Sequence, residues 1–366
     1  MSRFLTPLAA SLPSTVPFVG PETQERQMAR PFRARLGANE SLFGPSPHAI
    51  TAMNAAVEEV WKYADPENHD LKTALAAHHQ VRPDNIAVGG GIDGLLGLIC
   101  RLTLDPGTPV VTSLGAYPTF NFHVAGFGGE LTRVPYRGDH EDPQALLDAA
   151  RRTKARLIYL ANPDNPMGSH HSGAVIADLV ANLPDHSLLL LDEAYADLAP
   201  PEAIAKLPAD HPQVIRLRTF SKGYGLAGAR VGYAITAPEL AQAFDKVRNH
   251  FGMGRVAQAG ALAALRDRPW LEGVRAKVTE ARLRVGQIAR DCGLEPLPSA
   301  TNFVTIDCGR DGDYARAILC ETVARGVFIR MPGVAPLDRC IRISLGDEPA
   351  LRILAEVLPQ AIAAAG

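Results

Sequence analysis

The sequence has few cysteines and no spacing of them that is typical of a zinc site. The five cysteines are odd in number and include no C-x-x-C pair. Reduced thiols in the cytoplasm therefore fit them better than a disulfide framework or a zinc site. The 11 histidines are scattered, and adjacent pairs such as His78-His79 would point to different sides of a helix. We expect a cytoplasmic protein without a bound metal.

Long apolar runs and clusters of one charge are also missing. No stretch of about 18 uninterrupted apolar residues is present, so no membrane-spanning helix is predicted. The net charge is −2 and no stripe of Lys and Arg occurs, which argues against nucleic-acid binding. The first 12 residues faintly resemble a signal peptide, but Pro7 interrupts the short apolar part and one positive charge precedes it. We expect a loose arm there.

The order of the predicted elements indicates an α/β protein. From residue 86 to residue 235, predicted strands and helices alternate, which is typical of a mostly parallel, doubly wound sheet. A long helix is predicted from 255 to 291, with a break at Pro269, and a smaller α+β region follows it. A chain of 366 residues is expected to form two domains. The predicted parts are an N-terminal arm that joins the small domain (1–47), a large ligand-binding domain (48–254) and a small C-terminal domain (255–366).

One lysine lies in a glycine-rich turn after a predicted buried strand. Lys222 follows the strand at 214–217, Thr219 and Ser221 precede it, and Arg230 comes eight residues later. Ser-Lys-Gly alone is most commonly a surface turn. However, a desolvated lysine near fixed positive charge has a lowered pKa and forms Schiff bases, and the arginine and hydroxyls suit a phosphate. A ligand with both an aldehyde and a phosphate is pyridoxal 5′-phosphate, the cofactor that we predict.

A carboxylate ends the strand before this lysine. Four leucines at 188–191 indicate a strand buried on both faces, and Asp192 stands at its carboxyl end, where open α/β sheets bind ligands. A protonated pyridine nitrogen could pair with Asp192, with an attraction of roughly 4 kcal/mol at about 4 Å. The ring would then accept electrons from a carbanion, and Tyr195 could hydrogen-bond the ring hydroxyl. For Asp192 alone, a helix N-cap is an equally good interpretation.

Three further segments are weaker indications of the same site. Asn165 lies between two prolines in a rigid loop and could donate to the ring oxygen, although Asn-Pro is usually a simple turn. The turn Gly91-Ile92-Asp93 begins an apolar helix whose free N–H groups could hold a phosphate, but it matches no standard glycine motif. Tyr117 could lie flat on a ring, and it could equally be a core residue.

In this order and spacing, the segments resemble those of the fold-type I pyridoxal-phosphate enzymes, the aspartate aminotransferase superfamily. The resemblance covers nearly the whole chain and is strongest to the histidinol-phosphate aminotransferases among the class II aminotransferases. Residues 38–47, ANESLFGPSP, are similar to that family's opening motif N-E-N-P-x-G-P-S-P. Residues 61–66 resemble the segment whose tyrosine reaches the neighbouring subunit's cofactor. Residues 340–346 are similar to the segment that carries the arginine for the substrate carboxylate.

The resemblance implies a role for each candidate residue. Lys222 would hold the cofactor and move the proton, Asp192 would pair with the pyridine nitrogen, and Tyr195 would contact the ring hydroxyl. The implied cofactor contacts are Gly91, Ile92, Asp93, Tyr117, Asn165, Asp192, Tyr195, Thr219, Ser221, Lys222 and Arg230, with Tyr63 supplied by the second subunit of a homodimer. The implied substrate contacts are Arg342, Arg330, Phe18 and Asn39.

The chain departs from the family pattern in a few places. Met167 stands where the family usually has Thr, and Ser41 and Leu42 replace Asn and Pro of the opening motif. Within residues 16–20, Phe18 occupies the place of an aromatic residue, often Tyr, that grips the substrate phosphate. Because Phe18 has no hydroxyl, an aromatic amino acid stays open as an alternative substrate.

These features predict an aminotransferase that acts on small molecules. The amino donor would be histidinol phosphate or a related aromatic amino acid, and the acceptor a 2-oxo acid such as 2-oxoglutarate. Two alternatives stay open. One is a lyase or decarboxylase of the threonine-phosphate decarboxylase type, since the cofactor supports several reactions. The other is a non-catalytic, cofactor-binding regulator, although the sequence contains no DNA-binding module.

Overall fold

A seven-stranded sheet lies at the centre of the structure, in the order β2-β8-β7-β6-β5-β3-β4. The computed structural model describes residues 3–14 and 18–366, so residues 1, 2 and 15–17 of the predicted arm lie outside the described residues. The strands are β2 (Ile86–Gly89), β3 (Pro109–Ser113), β4 (Glu130–Val134), β5 (Leu157–Ala161), β6 (Leu188–Asp192), β7 (Val214–Thr219) and β8 (Gly232–Ile235). Strand β8 runs antiparallel to β2 and β7, and the other pairs are parallel. The predicted mostly parallel sheet is confirmed.

Helices cover both faces of this sheet because its central strands are apolar on both sides. In β5, Leu157 and Tyr159 pack on one face, whereas Ile158 and Leu160 pack on the other. Successive side chains of a strand point to opposite faces, so a strand without polar alternation requires cover on each side. The helices of this region are α3 (Pro47–Val57), α4 (His69–His79), α5 (Gly91–Thr103), α6 (Pro118–Gly126), α7 (Pro143–Thr153), α8 (Gly173–Ala181), α9 (Pro238–Ala243) and α10 (Arg255–Arg266).

A second core forms around a small antiparallel sheet in the order β12-β10-β9. Its elements are α11 (Arg268–Asp291), β9 (Glu295–Pro296), β10 (Phe303–Asp307), α12 (Gly312–Ala324), β12 (Cys340–Ser344) and α13 (Glu348–Ala365). Near the N-terminus, β1 (Ala34–Arg35) pairs in parallel with β11 (Val327–Phe328). Leu36 is fully buried in the same core, so this N-terminal segment packs with the C-terminal third of the chain. The division into domains after residues 47 and 254 stays a prediction.

The predicted long helix is broken at the expected proline. Helix α10 ends at Arg266, and α11 begins at Arg268 with Pro269 in its first turn. The Asp267 carboxylate caps α11 by accepting from the Trp270 N–H at 3.3 Å. Proline fits the first turn of a helix because its missing N–H would have no helical partner there.

The predictions were wrong at several boundaries. The N-terminal segment, predicted to lack regular structure, contains α1 (Pro7–Ser11), α2 (Pro21–Met28) and β1. Each is too short to show a periodic pattern, and α1 depends on the Thr6 hydroxyl, which accepts from the Ala9 N–H at 3.2 Å. The apolar run at 230–235 predicts a strand, but this strand begins only at Gly232, because Arg230 has a φ of 53°. The Ala and Val pattern from about 48 to 62 predicts a helix, but α3 ends at Val57.

Two searches of the described residues gave no candidate. None of their helices is both long and apolar enough to cross a membrane. No group of three His, Cys, Asp or Glu side chains within 3–14 and 18–366 is arranged to hold a metal ion.

Candidate active site

The carboxyl ends of the central strands surround a cavity of about 490 Å³. This position is where open α/β sheets bind ligands, and the volume is typical of a small-molecule site. The predicted residues that line the cavity are Phe18, Asn39, Ile92, Asp93, Tyr117, Asn165, Asp192, Tyr195, Thr219, Ser221, Lys222, Arg230, Arg330 and Arg342. Gly91 lies directly against Arg230 at the cavity wall.

The Lys222 amine projects into this cavity from the turn after β7. It donates a hydrogen bond to the backbone oxygen of Asn39 at 2.9 Å and lies 5.6 Å from the centre of the Tyr195 ring. Burial lowers the pKa of the Lys222 amine to about 8, and the positive charges of Arg342 and Arg230 act in the same direction. Roughly a tenth of this amine is therefore neutral at pH 7 and roughly half at pH 8, and the neutral form can attack a carbonyl carbon.

Asp192 is buried at the end of β6 and is held by two donors. Its Oδ2 accepts from the Tyr159 hydroxyl at 2.7 Å, and its Oδ1 accepts from the Ala194 N–H at 2.9 Å. Burial raises the pKa of Asp192, whereas the hydrogen bond from Tyr159 lowers it. Tyr159 is itself fixed, because its ring stacks on Phe120 with centroids 4.6 Å apart.

Hydroxyls and an arginine gather at one end of the cavity. The Ser221 hydroxyl accepts from the Thr219 hydroxyl at 2.9 Å and from Arg230 Nη1 at 3.3 Å. Helix α5 begins at Gly91, which has a φ of 77°, and a Cβ at this position would overlap the Arg230 guanidinium. Only glycine therefore lets the start of the helix approach Arg230 so closely. Free N–H groups, two hydroxyls and a guanidinium together suit a phosphate.

Asp93 and Tyr117 lie beside this anion-binding end. The Asp93 carboxylate contacts His123 Nε2 at 2.7 Å, and this contact lowers the pKa of Asp93. Tyr117 immediately precedes α6, and burial raises the pKa of its hydroxyl. Tyr117 is therefore neutral at ordinary pH, and its ring forms part of the cavity wall.

Asn39 connects the N-terminal segment to the site. It has a φ of 55°, which is uncommon for a residue other than glycine, and several hydrogen bonds hold it there. Its Nδ2 donates to the Tyr195 hydroxyl at 3.1 Å, while its N–H and Oδ1 both contact the Ser344 hydroxyl. The Asn302 side chain also donates to the Asn39 backbone oxygen, at 3.0 Å. The acceptor of the Lys222 amine is therefore rigidly placed.

Two arginines with neighbouring backbones, Arg330 and Arg342, also line the cavity. The backbones of Arg330 and Arg342 pair in an isolated antiparallel bridge. Arg342 donates from Nη1 to the Asn165 Oδ1, which leaves the Asn165 NH₂ group as a donor. Burial lowers the pKa of Arg342, and burial together with Arg342 lowers the pKa of Arg330 to about 10. The Nε of each arginine is buried without a partner in the described part of the chain. Two cations so close together and incompletely paired suit an anionic ligand.

Phe18 covers one of these arginines. The Arg330 guanidinium carbon lies 4.1 Å from the centre of the Phe18 ring, and its Nη2 donates to the Val19 backbone oxygen. A guanidinium over an aromatic face is favourable. Residues 18 and 19 of the N-terminal arm are thus attached to the cavity through Arg330.

Tyr63 is the one predicted site residue that is far from its own subunit's cavity. It is 78% exposed and packs on Phe251 with ring centroids 4.6 Å apart. Its role in a neighbouring subunit's site stays a prediction.

The residues present fit pyridoxal 5′-phosphate as a cofactor. The cavity offers an amine for the aldehyde at Lys222, a buried acid at Asp192, an aromatic wall at Tyr117 and an anion-binding end at Arg230. The Arg230 guanidinium lies directly against the start of α5, so a phosphate bound beside them could contact the guanidinium and the free N–H groups of the helix together.

Two ionisable residues that line the cavity were not predicted from the sequence. Tyr159 stands among apolar residues in β5, and the only signal was its hydroxyl in a strand that otherwise has no polar group. Glu40 directly follows Asn39 in the opening motif, and nothing in its sequence neighbourhood indicated that it lines the same cavity as Lys222. Their places in the cavity depend on which strands and segments become neighbours in the folded chain.

Comparison with known proteins gives a consistent picture. The family model "Aminotransferase class I and II" matches residues 34–358. A histidinol-phosphate aminotransferase from Moorella thermoacetica is 32% identical over 92% of this chain and 88% of its own length. A solved histidinol-phosphate aminotransferase from Sinorhizobium meliloti, in complex with pyridoxal-5′-phosphate, is 55% identical, with a TM-score of 0.97 over 100% of this chain and 99% of that one. A Thermus thermophilus aspartate aminotransferase mutant, 21% identical over 98% of this chain and 100% of that one, has a TM-score of 0.83 and shows the same fold.

We predict that Tyr159→Phe destabilises the cofactor-free protein by about 1–3 kcal/mol, because buried Asp192 loses one of its two donors. Urea unfolding measures the change. Tyr314→Phe is the matched control, since the Tyr314 hydroxyl makes no hydrogen bond within the described residues, and it should change stability by less than about 0.5 kcal/mol. Equal effects of the two substitutions would show that the Tyr159–Asp192 hydrogen bond contributes nothing.

Proposed function

Because this chain belongs to the class I and II aminotransferases, which depend on pyridoxal phosphate, we propose that it transfers the amino group of histidinol phosphate to a 2-oxo acid. Arg330 and Arg342, whose backbones pair and whose side chains line the same cavity as Lys222, are the observation that supports this substrate most directly. The names of its relatives, one of them 55% identical, agree with it. The acceptor that we propose is 2-oxoglutarate, whose carboxylates would use the same arginines.

Each end of the cofactor has proposed partners in the cavity. Thr219, Ser221, Arg230 and the N–H groups of the Gly91-Ile92-Asp93 turn would hold the phosphate. Asp192 would face the pyridine nitrogen, and Tyr117 would lie against the ring. The Asn165 NH₂ group and the Tyr195 hydroxyl would contact the ring oxygen. When bound, pyridoxal phosphate withdraws electrons from the carbon next to the transferred amine.

The Lys222 amine moves the proton in this proposal. With a pKa of about 8, it is roughly half neutral at pH 8, and a neutral amine can take a proton from the substrate's α-carbon. The Asn39 backbone oxygen orients the amine by accepting a hydrogen bond from it at 2.9 Å. The positive charges of Arg342 and Arg230 then favour release of the proton from Lys222, because they disfavour the charged form of its amine.

The two arginines would fix the substrate's anionic end. Each has a buried Nε without a described partner, so a phosphate or carboxylate would supply acceptors that the free protein lacks. The Phe18 ring lies over Arg330 and helps to exclude water from that end. With its anion held by the arginines and its amine at Lys222, the substrate has a fixed orientation. This orientation would determine which bond of the α-carbon is broken.

A second copy of the chain is the proposed partner. Val57, Val60, Trp61 and Tyr63 are exposed apolar side chains within seven positions of the chain, and Phe251 packs against Tyr63. Such a concentration of exposed apolar side chains is typical of a protein interface. In a homodimer, Tyr63 would reach the phosphate end of the neighbouring subunit's cavity. We further propose a cytoplasmic location, which suits the five free cysteines.

We predict that the cofactor-loaded enzyme uses histidinol phosphate with a kcat/KM at least about tenfold above that for phenylalanine, because a doubly charged phosphate binds two arginines better than a carboxylate does. Ketone product and glutamate formation are measured with 2-oxoglutarate as acceptor. Lys222→Ala, the control, should produce neither. A preference for phenylalanine, or release of carbon dioxide from phenylalanine without glutamate formation, would contradict the proposed reaction.

We predict that Tyr63→Phe and Lys222→Ala variants regain activity when their subunits are mixed. A mixed dimer contains one site with both native residues, so random exchange restores about one quarter of all sites. Each variant exchanged with itself is the control. If the mixture shows only the average of the two separate activities, Tyr63 acts in its own subunit or not at all.

A further inference from the structure

Three acidic side chains line the cavity, and two of them have described partners. Asp93 contacts His123, and Asp192 accepts from Tyr159 and Ala194. Within residues 3–14 and 18–366, no side chain or backbone group bonds to the Glu40 carboxylate. Glu40 is thus the one of these three acids whose carboxylate has no hydrogen-bond or ion-pair partner within the described residues.

The backbone places Glu40 beside the reacting amine. Its neighbour Asn39 accepts the hydrogen bond from Lys222, and the Asn302 side chain donates to the backbone oxygens of both Asn39 and Glu40, at 3.0 and 3.3 Å. The negative charge of Glu40 raises the pKa of Lys222 more than that of Asp192 does. The Glu40 side chain itself is exposed, so it can turn toward a bound molecule while its backbone stays fixed.

The charges in the cavity match a substrate with three different arms. Arg330 and Arg342 suit an anion, and Lys222 lies where the substrate's amine must arrive. Glu40 supplies a single anion for a third arm, and Phe18, whose ring lies over Arg330, also lines the cavity and gives it an apolar side. A flat ring that also carries an N–H donor satisfies both the aromatic surface and the carboxylate.

We propose that Glu40 is a specificity-determining residue that accepts a hydrogen bond from the imidazole N–H of the substrate. This inference rests on the proposed function, since the imidazole is the arm of histidinol phosphate that a phenyl analogue lacks. A phenyl ring in the same place would desolvate the carboxylate without giving it a donor. Sites built around such a polar group reject the analogue that lacks its partner.

The test compares two donors that differ only in the ring, histidinol phosphate and phenylalaninol phosphate. In Glu40→Leu we expect kcat/KM for histidinol phosphate to fall roughly 10- to 100-fold, mainly through KM, because a hydrogen bond to a charged group is lost. For phenylalaninol phosphate it should stay the same or rise. Glu40→Gln, which keeps the shape and one acceptor oxygen, should fall between wild type and Glu40→Leu.

Two controls separate specificity from damage to the fold. Glu280→Leu removes an exposed glutamate on α11 that has no described partner and should leave both donors unaffected. The urea midpoint and the amount of cofactor bound by the Glu40 variants should equal those of wild type. Equal losses on both donors, or a loss of cofactor absorbance, would overturn the proposed role of Glu40.

A second donor pair distinguishes failure of this inference from failure of the proposed function. If wild type does not use histidinol phosphate, the proposed substrate is wrong, and the same variants are then compared on histidine and phenylalanine. A selective loss on histidine would still support the imidazole contact. Wild-type inactivity on both imidazole donors would overturn it together with the proposed function.

Discussion

The lowered pKa of the Lys222 amine is the constraint on which the rest of the site depends. Burial and two nearby arginines oppose its positive charge, and Asp192 and Glu40 only partly offset them. The amine therefore alternates easily between neutral and charged forms, as a group that both bonds a carbonyl and moves a proton must do. The turn after β7 sets the position of the amine. The backbone oxygen of Asn39, in the N-terminal segment, holds it there by accepting its hydrogen bond.

The two cores of the molecule meet at this cavity. The large sheet contributes Lys222 and Asp192 from the ends of β7 and β6, whereas β12 of the small sheet contributes Arg342. Arg342 contacts Asn165 of the loop after β5, and Arg330 holds the start of the N-terminal arm through Phe18 and Val19. The groups proposed for the cofactor thus come mainly from one core, and those proposed for the substrate mainly from the other. Substrate binding would link the two.

The fold and the family were predictable because their signals are local. The apolar run before Asp192 and the glycines around Lys222 identify strand ends without any knowledge of the neighbouring strands, and the predicted fold and family are confirmed. What the sequence could not reveal depends on contacts between distant segments. The Tyr159–Asp192 hydrogen bond spans 33 residues. Glu40 lines the same cavity as Lys222, which lies far from it along the chain. Helices α1 and α2 were missed because both are too short to show a periodic apolar face; α1 depends on the Thr6 cap, and α2 begins at Pro21 without a side-chain cap.

The most direct test of the account is the identity of the amine that binds the cofactor. The protein is loaded with pyridoxal phosphate, reduced with borohydride, digested and analysed by mass spectrometry. The account predicts one pyridoxyl group per chain, on the peptide that contains Lys222, because this is the lysine that lines the cavity. A label on a different lysine, or a chain that takes up no label, would contradict it.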